Sequence, residues 1–375
     1  MNEAIEHIQS QVREAARLHR TWRIVGGGTK DFLGEPLQGE ALSTSGLNGI
    51  LAYEPTELVI TAGAGTPLAE IQSRLAEQRQ YLPFDPPRWG EQSTLGGVVA
   101  AGLSGPARAS VGGVRDFVLG AHMINGKAEL LQFGGQVMKN VAGYDVSRLL
   151  AGSMGTLGVI TQLSIKVLPE PLAERTLTWL GRQEDALAQL LRWRAKPLPM
   201  DASCWCATPD DAEHGVLSVR LRGAQVAIDV AIERMNADTM GGPLEWQHTD
   251  TGLDWDAVRD QAHEFFSRPP APEACLWRLS VPPATPVMAL GLPRLMEWHG
   301  AQRWFWASVQ EAHGLRDWAN SVGGHATLFR TSALNGDADK KVGAYSTQAP
   351  VLTQVNERIQ AQFDPHGVFR TQRLG

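Results

Sequence analysis

Gly26, Gly27 and Gly28, followed by Thr29 and Lys30, close a short apolar run near the N-terminus, RIVGGGTK. Glycine loses more backbone freedom on folding than any other residue, so three together need a reason. Successive N–H groups in such a loop form a nest for an anion such as a phosphate, to which Lys30 would add charge. The alternative is a plain tight turn with Lys30 a solvated charge. Other reactive residues are sparse. Cys204 and Cys206, in SCWCAT, alternate onto one face of a predicted strand and have no further ligands at metal-binding spacing. They read as two small buried hydrophobes, and no metal site is expected.

Two phosphate-loop patterns fail. The nearest approach to G-x-x-x-x-G-K-[ST] lies at Gly120–Ala128, with one residue too many between the glycines and Ala128 where a hydroxyl is needed. For G-x-G-x-x-G, Gly26 and Gly28 are followed by Asp31, and Gly63 and Gly65 by Leu68, where the third glycine belongs. ATP chemistry and a nicotinamide domain are therefore disfavoured. What stands out is the number of glycine-rich runs: GGGTK, TLGGVVAAGLSGP and AGSMGTLGVIT. An extended diphosphate lying across several backbone segments needs small residues at each, so a dinucleotide-sized cofactor is expected.

The elements that must carry these runs follow from pattern. Ile5, Ile8, Val12, Ala15 and Leu18 recur every three or four residues and predict an N-terminal amphipathic helix. LVITAGAGTPLAEIQSRLAEQ predicts a strand, a turn and a helix from Thr66 with Pro67 at its first position. FVLGAHMINGKAELLQFGG predicts a hairpin turning at Asn125-Gly126, and LGVITQLSIKVLPEP a long strand. After Pro171 the order becomes strand, helix, strand, strand, helix, strand, that of a ferredoxin-like α+β layer. Trp179, Trp193, Trp205, Trp277, Trp304 and Trp306 fall on these elements and read as core or interface. The closing stretch reads as one helix and a turn.

The bulk properties bound the function. At 375 residues two domains are expected. A net charge of −6 and a pI near 5.9, with no dense basic cluster, argue against nucleic acid. No run approaches a membrane span or a signal peptide, so a cytoplasmic protein without direct membrane insertion is expected.

Four segments, GGGTK, LPFDPPRWGEQSTLGGVVAAGLSGP, MKNVAGYDVSRLLAGSMGTLGVIT and FDPHGVFRTQRL, together resemble the vanillyl-alcohol-oxidase (PCMH-type) FAD-binding family. Within it the chain is most similar to the FAD-binding subunits of bacterial glycolate dehydrogenase (glycolate oxidase), which GGHATLFR, Gly323–Arg330, resembles in particular. The resemblance runs over nearly the whole chain. It implies an α+β fold: a PCMH-type FAD-binding domain of two subdomains over 1–171, a ferredoxin-like α+β cap over 172–330, and a segment, 331–375, returning to the FAD domain. It further implies that Gly26, Gly27, Gly28, Thr29 and Lys30 wrap the FAD pyrophosphate. Thr94, Gly96, Gly97, Ser104 and Gly105 form a second cradle. Pro86, in LPFDPPRWG, also belongs to the cofactor set. Gly158, Val159 and Ile160 lie along the adenine and ribose. Thr29 stands where some members tether FAD through a histidine, so a non-covalent flavin is expected.

Catalysis is less legible. The related catalytic flavoprotein subunit carries H-x-G-D-G-N-x-H, whereas here His325 and Asn335-Gly336-Asp337 have the wrong spacing. Arg330 can pair a substrate carboxylate in bidentate fashion or form a structural ion pair. His122, His325 and His366 fall in or near cofactor segments, and none is nominated as a base. The resemblance implies a subunit of a glycolate dehydrogenase that turns glycolate, a small 2-hydroxy acid, into glyoxylate. Its partners would be a larger catalytic FAD subunit and an iron–sulfur subunit passing electrons to an acceptor such as quinone. Any membrane association would come through those partners, and the tryptophan-rich half could supply a docking face. Three cysteines are too few for Cys₄ cluster ligation, which places such a cluster in a partner. The alternatives are a non-catalytic relay or assembly flavoprotein, and a stand-alone FAD-dependent alcohol or 2-hydroxy-acid oxidase.

Overall fold

The computed structural model describes residues 1–375 apart from 136–144, 209–210, 248–251 and 289. The chain divides into two units: residues 1–104, 112–170 and 347–375 make the first, and residues 105–111 and 171–346 the second.

The first unit opens with α1 (Asn2–Leu18), whose Ile8, Val12 and Ala15 are buried on one stripe. The helix ends where His19 adopts a left-handed conformation, φ 53°, and its N–H donates to Ala15 O. β1 (Trp22–Val25) and β2 (Glu40–Ser43) pair in parallel. β3 (Ile50–Glu54), β4 (Val59–Gly63), β5 (Val118–Ile124), β6 (Leu130–Gly134) and β7 (Val159–Lys166) form an antiparallel sheet in the order β3-β4-β7-β5-β6. β7 takes the centre, with six of its eight residues buried and Val159, Leu163 and Ile165 lining one face.

Two local expectations shift. The helix after β4, α2 (Leu68–Ala76), starts two residues later than Thr66. Pro67 is extended, ψ 135°, and the Thr66 hydroxyl is engaged with Gly49, accepting from its N–H and donating to its carbonyl. The β5–β6 connection spans Asn125–Glu129 rather than a two-residue Asn-Gly turn. Asn125 Oδ1 accepts the Lys127 and Glu129 N–H groups at 3.0 and 2.9 Å and closes that longer loop.

The TLGGVVAA run, read above as a glycine-rich loop, is a helix, α3 (Leu95–Ala101). Thr94 caps it, its Oγ1 accepting the Gly97 N–H at 3.2 Å, and Gly102 ends it with φ 66°.

The second unit holds one eight-stranded antiparallel sheet. β8 (Ala173–Arg182), α4 (Gln183–Arg194), β9 (Met200–Thr208), β10 (Asp211–Gly223), α5 (Gln225–Thr239) and β11 (Glu245–Gln247) give the spatial order β11-β8-β10-β9, the ferredoxin-like arrangement. β12 (Cys275–Ser280), β13 (Arg294–Glu297), β14 (Gln302–Ala307), α7 (Ala312–Ser321) and β15 (His325–Arg330), with α6 (Trp255–Arg259) preceding them, extend the sheet in the order β13-β14-β12-β15. This second half repeats the strand order of the first, and β9 joins β13 across the middle. Trp179, Trp193 and Trp205 fill the core under α4 and α5, and Trp277 that under α7. Trp304 and Trp306 are 3% and 4% exposed, so all six expected tryptophans are buried and cannot form a docking face. Among the described residues no helix is long and apolar enough to cross a membrane.

Residues 331–346, expected to return to the first unit, pack instead beside β15. Leu328 N–H donates to Ala344 O, and Ser346 Oγ bonds both the N–H and the carbonyl of Ala326. The return begins at Thr347 and continues as α8 (Pro350–Phe363). Buried Asp364 then turns the chain by accepting the Val368 and Phe369 N–H groups at 2.9 and 2.7 Å. Val368 and Phe369 pack with Ile8 and Val12 of α1, so both ends of the chain share the core of the first unit.

Candidate cofactor site

β1 runs directly into the glycines. A Cβ on Gly27 would sit 1.7 Å from the Gln92 carbonyl oxygen, and one on Gly26 would sit 2.4 Å from Thr94 Oγ1. The loop therefore lies against the segment that leads into α3. Gly28 has φ +68°, a conformation that residues with a Cβ rarely adopt. Among the described residues, the N–H groups of Gly26, Gly27, Gly28 and Thr29 donate to no protein acceptor. Four consecutive donors without a partner make this a nest for an anion. Both readings of the glycines thus apply: two are demanded by packing, while the loop as a whole leaves donors to spare.

Lys30 is buried, 9% exposed, which excludes a solvated charge. Its Nζ donates to Ser93 Oγ at 2.8 Å and Thr29 Oγ1 at 3.2 Å, and lies 5.6 Å from the centre of the Trp89 ring. Arg23 pairs with Asp31 at 3.0 Å. From the C-terminal stretch, buried Arg373 donates to Glu35 O at 2.6 Å and Asp31 O at 2.5 Å, tying down the loop after Lys30. Arg23, Lys30 and Arg373 against Asp31 leave the surroundings positive.

Arg23, Gly26 to Asp31 and Arg373 line one cleft enclosing about 900 Å³ of space, solvent included. Of the expected cofactor residues, Gly26–Lys30, Thr94, Gly96, Gly97, Gly158 and Ile160 come together there. The second cradle works differently from the first. Gly96 N–H donates to Ala64 O at 2.7 Å and Gly97 N–H to Thr94 Oγ1, so their donors are spent within the protein. What Gly96 provides is clearance, since a Cβ there would meet Ala64 Cβ at 2.7 Å. Ala64, Ala100 and Ala101 keep this wall low, and Ile24, Met154 and Ile160 make it apolar.

Four expected residues lie elsewhere. Val159 faces away from the cleft into the core beside Ile8, because neighbours on a strand point to opposite faces. Ser104 Oγ accepts the Val114 N–H at 3.0 Å. Gly105 belongs to the second unit, where its carbonyl accepts Trp298 Nε1–H at 3.0 Å. Pro86 is buried and lines no part of the cleft. The quoted stretch Met138–Tyr144 lies outside the described residues. Sequence reasoning missed Thr44, Ala64 and Arg373 as cleft residues. Arg373 sits in the FRTQRL segment that carried the resemblance, but nothing in its spacing links it to residues some 340 positions earlier.

The other reactive candidates are not gathered here. His122 is partly buried in β5, and burial holds its pKa below the ordinary value. His325 and His366 are exposed. Arg330 donates to Gln261 Oε1 at 2.6 Å and Phe266 O at 3.2 Å. Burial pushes the Cys206 thiol up to about 12 and that of Cys204 well above its ordinary value, which makes both poor nucleophiles.

A run of open N–H donors with cations beside it, continuing into a low apolar wall, suits a diphosphate joined to flat rings. Comparison with known proteins agrees. Residues 3–134 match a family described as an FAD binding domain. Glycolate oxidase subunit GlcE of Escherichia coli (strain K12) is 39% identical over 364 residues, covering 97% of this chain and 95% of that protein. Glycolate oxidase subunit GlcD of Bacillus subtilis (strain 168) is 32% identical over 143 residues, 38% of this chain and 30% of that one. D-lactate dehydrogenase of Anaerostipes hadrus is 34% identical over 36% of this chain and 28% of its own. The chain thus spans under a third of the length of these last two. An alkyldihydroxyacetonephosphate synthase structure superposes with a TM-score of 0.69 over 98% of this chain and 74% of that one, at 15% identity, which shows the shared fold. On that identity, held over almost the full length of both proteins, the chain belongs to the family of FAD-binding glycolate oxidase subunits that includes GlcE.

Proposed function

We propose that this chain is the FAD-binding subunit of a multi-subunit glycolate dehydrogenase, with the first unit as the FAD domain and the second as its cap. The 39% identity across 97% of the chain carries the reading. The Gly26–Thr29 N–H groups and Lys30 would hold the pyrophosphate, with Thr94, Gly96, Gly97, Gly158 and Ile160 along the rest of the cofactor. FAD, when bound, supplies hydride acceptance from the hydroxy acid and onward electron transfer. The chain's own contribution is to orient that cofactor and to neutralise its diphosphate. The flavin is non-covalent on this reading, since no histidine, cysteine or tyrosine lines the cleft among the described residues. The partners are a larger catalytic FAD subunit and an iron–sulfur subunit, the latter because three cysteines cannot ligate a cluster here.

A second reading, a relay or assembly flavoprotein that does not itself oxidise substrate, has one observation in its favour. Arg330, the expected carboxylate partner, already donates to Gln261 and Phe266. One experiment separates the two. The purified chain is denatured and its soluble flavin measured, and the native chain is titrated anaerobically with glycolate. Flavin released into solution and bleached by glycolate in the native protein supports a catalytic subunit. Released but unbleached flavin supports the relay. No flavin, even after reconstitution with FAD, overturns both.

A further inference from the structure

Arg330 and Arg278 lie on neighbouring strands of the second unit and are treated oppositely by their surroundings. Arg330 is engaged by Gln261 and Phe266. Arg278, in the middle of β12, is partly buried, and its Nε–H is enclosed yet has no hydrogen-bond acceptor among the described residues. Its guanidinium lies over the Phe329 ring, 5.3 Å from the centroid. Among the described residues no carboxylate reaches ion-pair distance of it.

The register shows what stands around it. Thr327 on β15 and Trp304 on β14 are directly opposite Arg278. His325 and Gln302 are opposite Ser280, two residues along. Directly opposed residues of an antiparallel ladder share a face, and so do residues two apart. Arg278, Ser280, Thr327 and His325 therefore make one patch, rich in donors. Burial pushes the Arg278 guanidinium down to about 10, with Tyr345 opposing the shift and Arg108, a like charge, adding to it. A partly buried cation with an unpaired donor, beside a second arginine, is unfavourable until an anion offsets its charge.

We propose that Arg278 is the carboxylate-binding residue of this chain, its two terminal Nη groups donating to the two oxygens of a small hydroxy or oxo acid beside Phe329. The planar fork matches two coplanar oxygens, and the Phe329 ring covers one face of the guanidinium. The identity of the acid as glycolate rests on the function proposed above; the carboxylate site does not.

The test is calorimetric titration of the full-length chain with glycolate, with the neutral analogue glycolamide, and with inorganic phosphate. The native chain is expected to bind glycolate and not glycolamide. Arg278→Gln should weaken glycolate roughly tenfold or more, the loss of a charge-assisted pair. Arg278→Lys, which keeps charge but loses the fork, should weaken it several-fold, and it decides the matter if the Gln variant lacks the native near-ultraviolet dichroism of the tryptophans. The proposal is overturned if the native chain binds no glycolate, if phosphate binds more tightly than glycolate, or if Arg330→Lys weakens binding while the Arg278 variants do not. Flavin bleaching is read separately. Binding that needs Arg278 without bleaching would overturn catalysis by this chain and leave the site standing. Bleaching at unchanged glycolate affinity in Arg278→Gln would overturn the site and leave catalysis standing.

Discussion

The two units solve recognition with opposite materials. Around the cleft of the first, main-chain N–H groups and small residues dominate, Gly26–Thr29, Ala64, Gly96, Ala100 and Ala101, with Lys30 and Arg373 adding charge beside them. Trp22 and Trp89 are its tryptophans, and the remaining ten of the 12 lie in the second unit, mostly as core. There the chemistry is carried by side chains on a rigid sheet, with Arg278 and Arg330 as the contrasting pair. A diphosphate with attached rings needs a long surface that the backbone can approach, which favours glycine and alanine. A small anion needs one well-held charged group, which favours a side chain fixed by large neighbours. The difference teaches that small residues offer a ligand hydrogen bonds only where their donors are open, as at Gly26–Thr29, and clearance alone where they are spent, as at Gly96–Gly97.

The contrast can be broken experimentally. Trp193, fully buried against Trp179 with ring centres 4.9 Å apart, also donates to Asp238. Trp193→Ala should cost about 3–5 kcal/mol in urea unfolding while folded molecules keep their full flavin complement. Loss of flavin from folded protein would erase the division between units. Gly27→Val places side-chain atoms into the Gln92 carbonyl and should cost about 3 kcal/mol or more, with flavin lost from protein that retains the tryptophan dichroism. Full flavin retention would show that the loop contributes packing alone.

The next effect depends on pH. Glu297, 4% exposed, accepts from Trp304 Nε1 and Gln302 Nε2, and burial, against those two bonds, pushes its carboxyl from 4.5 up to about 7. Between those values the folded state holds a proton that the unfolded state has released. Its contribution to stability therefore falls as pH rises through that window and is constant above it. Glu297→Gln, whose amide oxygen can accept the same two bonds, should gain on the order of 2–3 kcal/mol relative to the native chain between about pH 4.5 and pH 8. Parallel stability curves for the two proteins would refute a buried carboxyl that ionises in this range. The smallest effect is at the cleft: Lys30→Met should weaken FAD binding to the apo chain roughly tenfold and reduce its salt dependence, followed by flavin fluorescence. An unchanged affinity would assign Lys30 to the protein's own bonds with Ser93 and Thr29.

Much of this was legible beforehand where one residue type has one use. The stripe Ile8, Val12, Ala15 predicted a helix that is there, and the ferredoxin-like order after Pro171 is the order of β8 to β11. The glycines of GGGTK pointed to the cleft that they line. Misreadings arose where a local pattern had two outcomes. TLGGVVAA carries glycine at loop density, but Thr94 caps it, and alanine and valine sustain a helical turn. The segment 331–346 has no periodicity of its own and was settled by hydrogen bonds to β15.

By itself the sequence determined most of the elements, the family resemblance and the glycine loop that lines the cleft, because backbone preference and side-chain spacing are local quantities. Only the tertiary structure decided which donors are open. It spent the N–H groups of Gly96 and Gly97 inside the protein and left those of Gly26–Thr29 without acceptors among the described residues. It drew Arg373 across the chain to the loop, engaged Arg330, and left the Nε–H of Arg278 without an acceptor among the described residues. Whether a polar group is available depends on what the rest of the chain brings within hydrogen-bond reach, and that distance is written in no neighbouring residue.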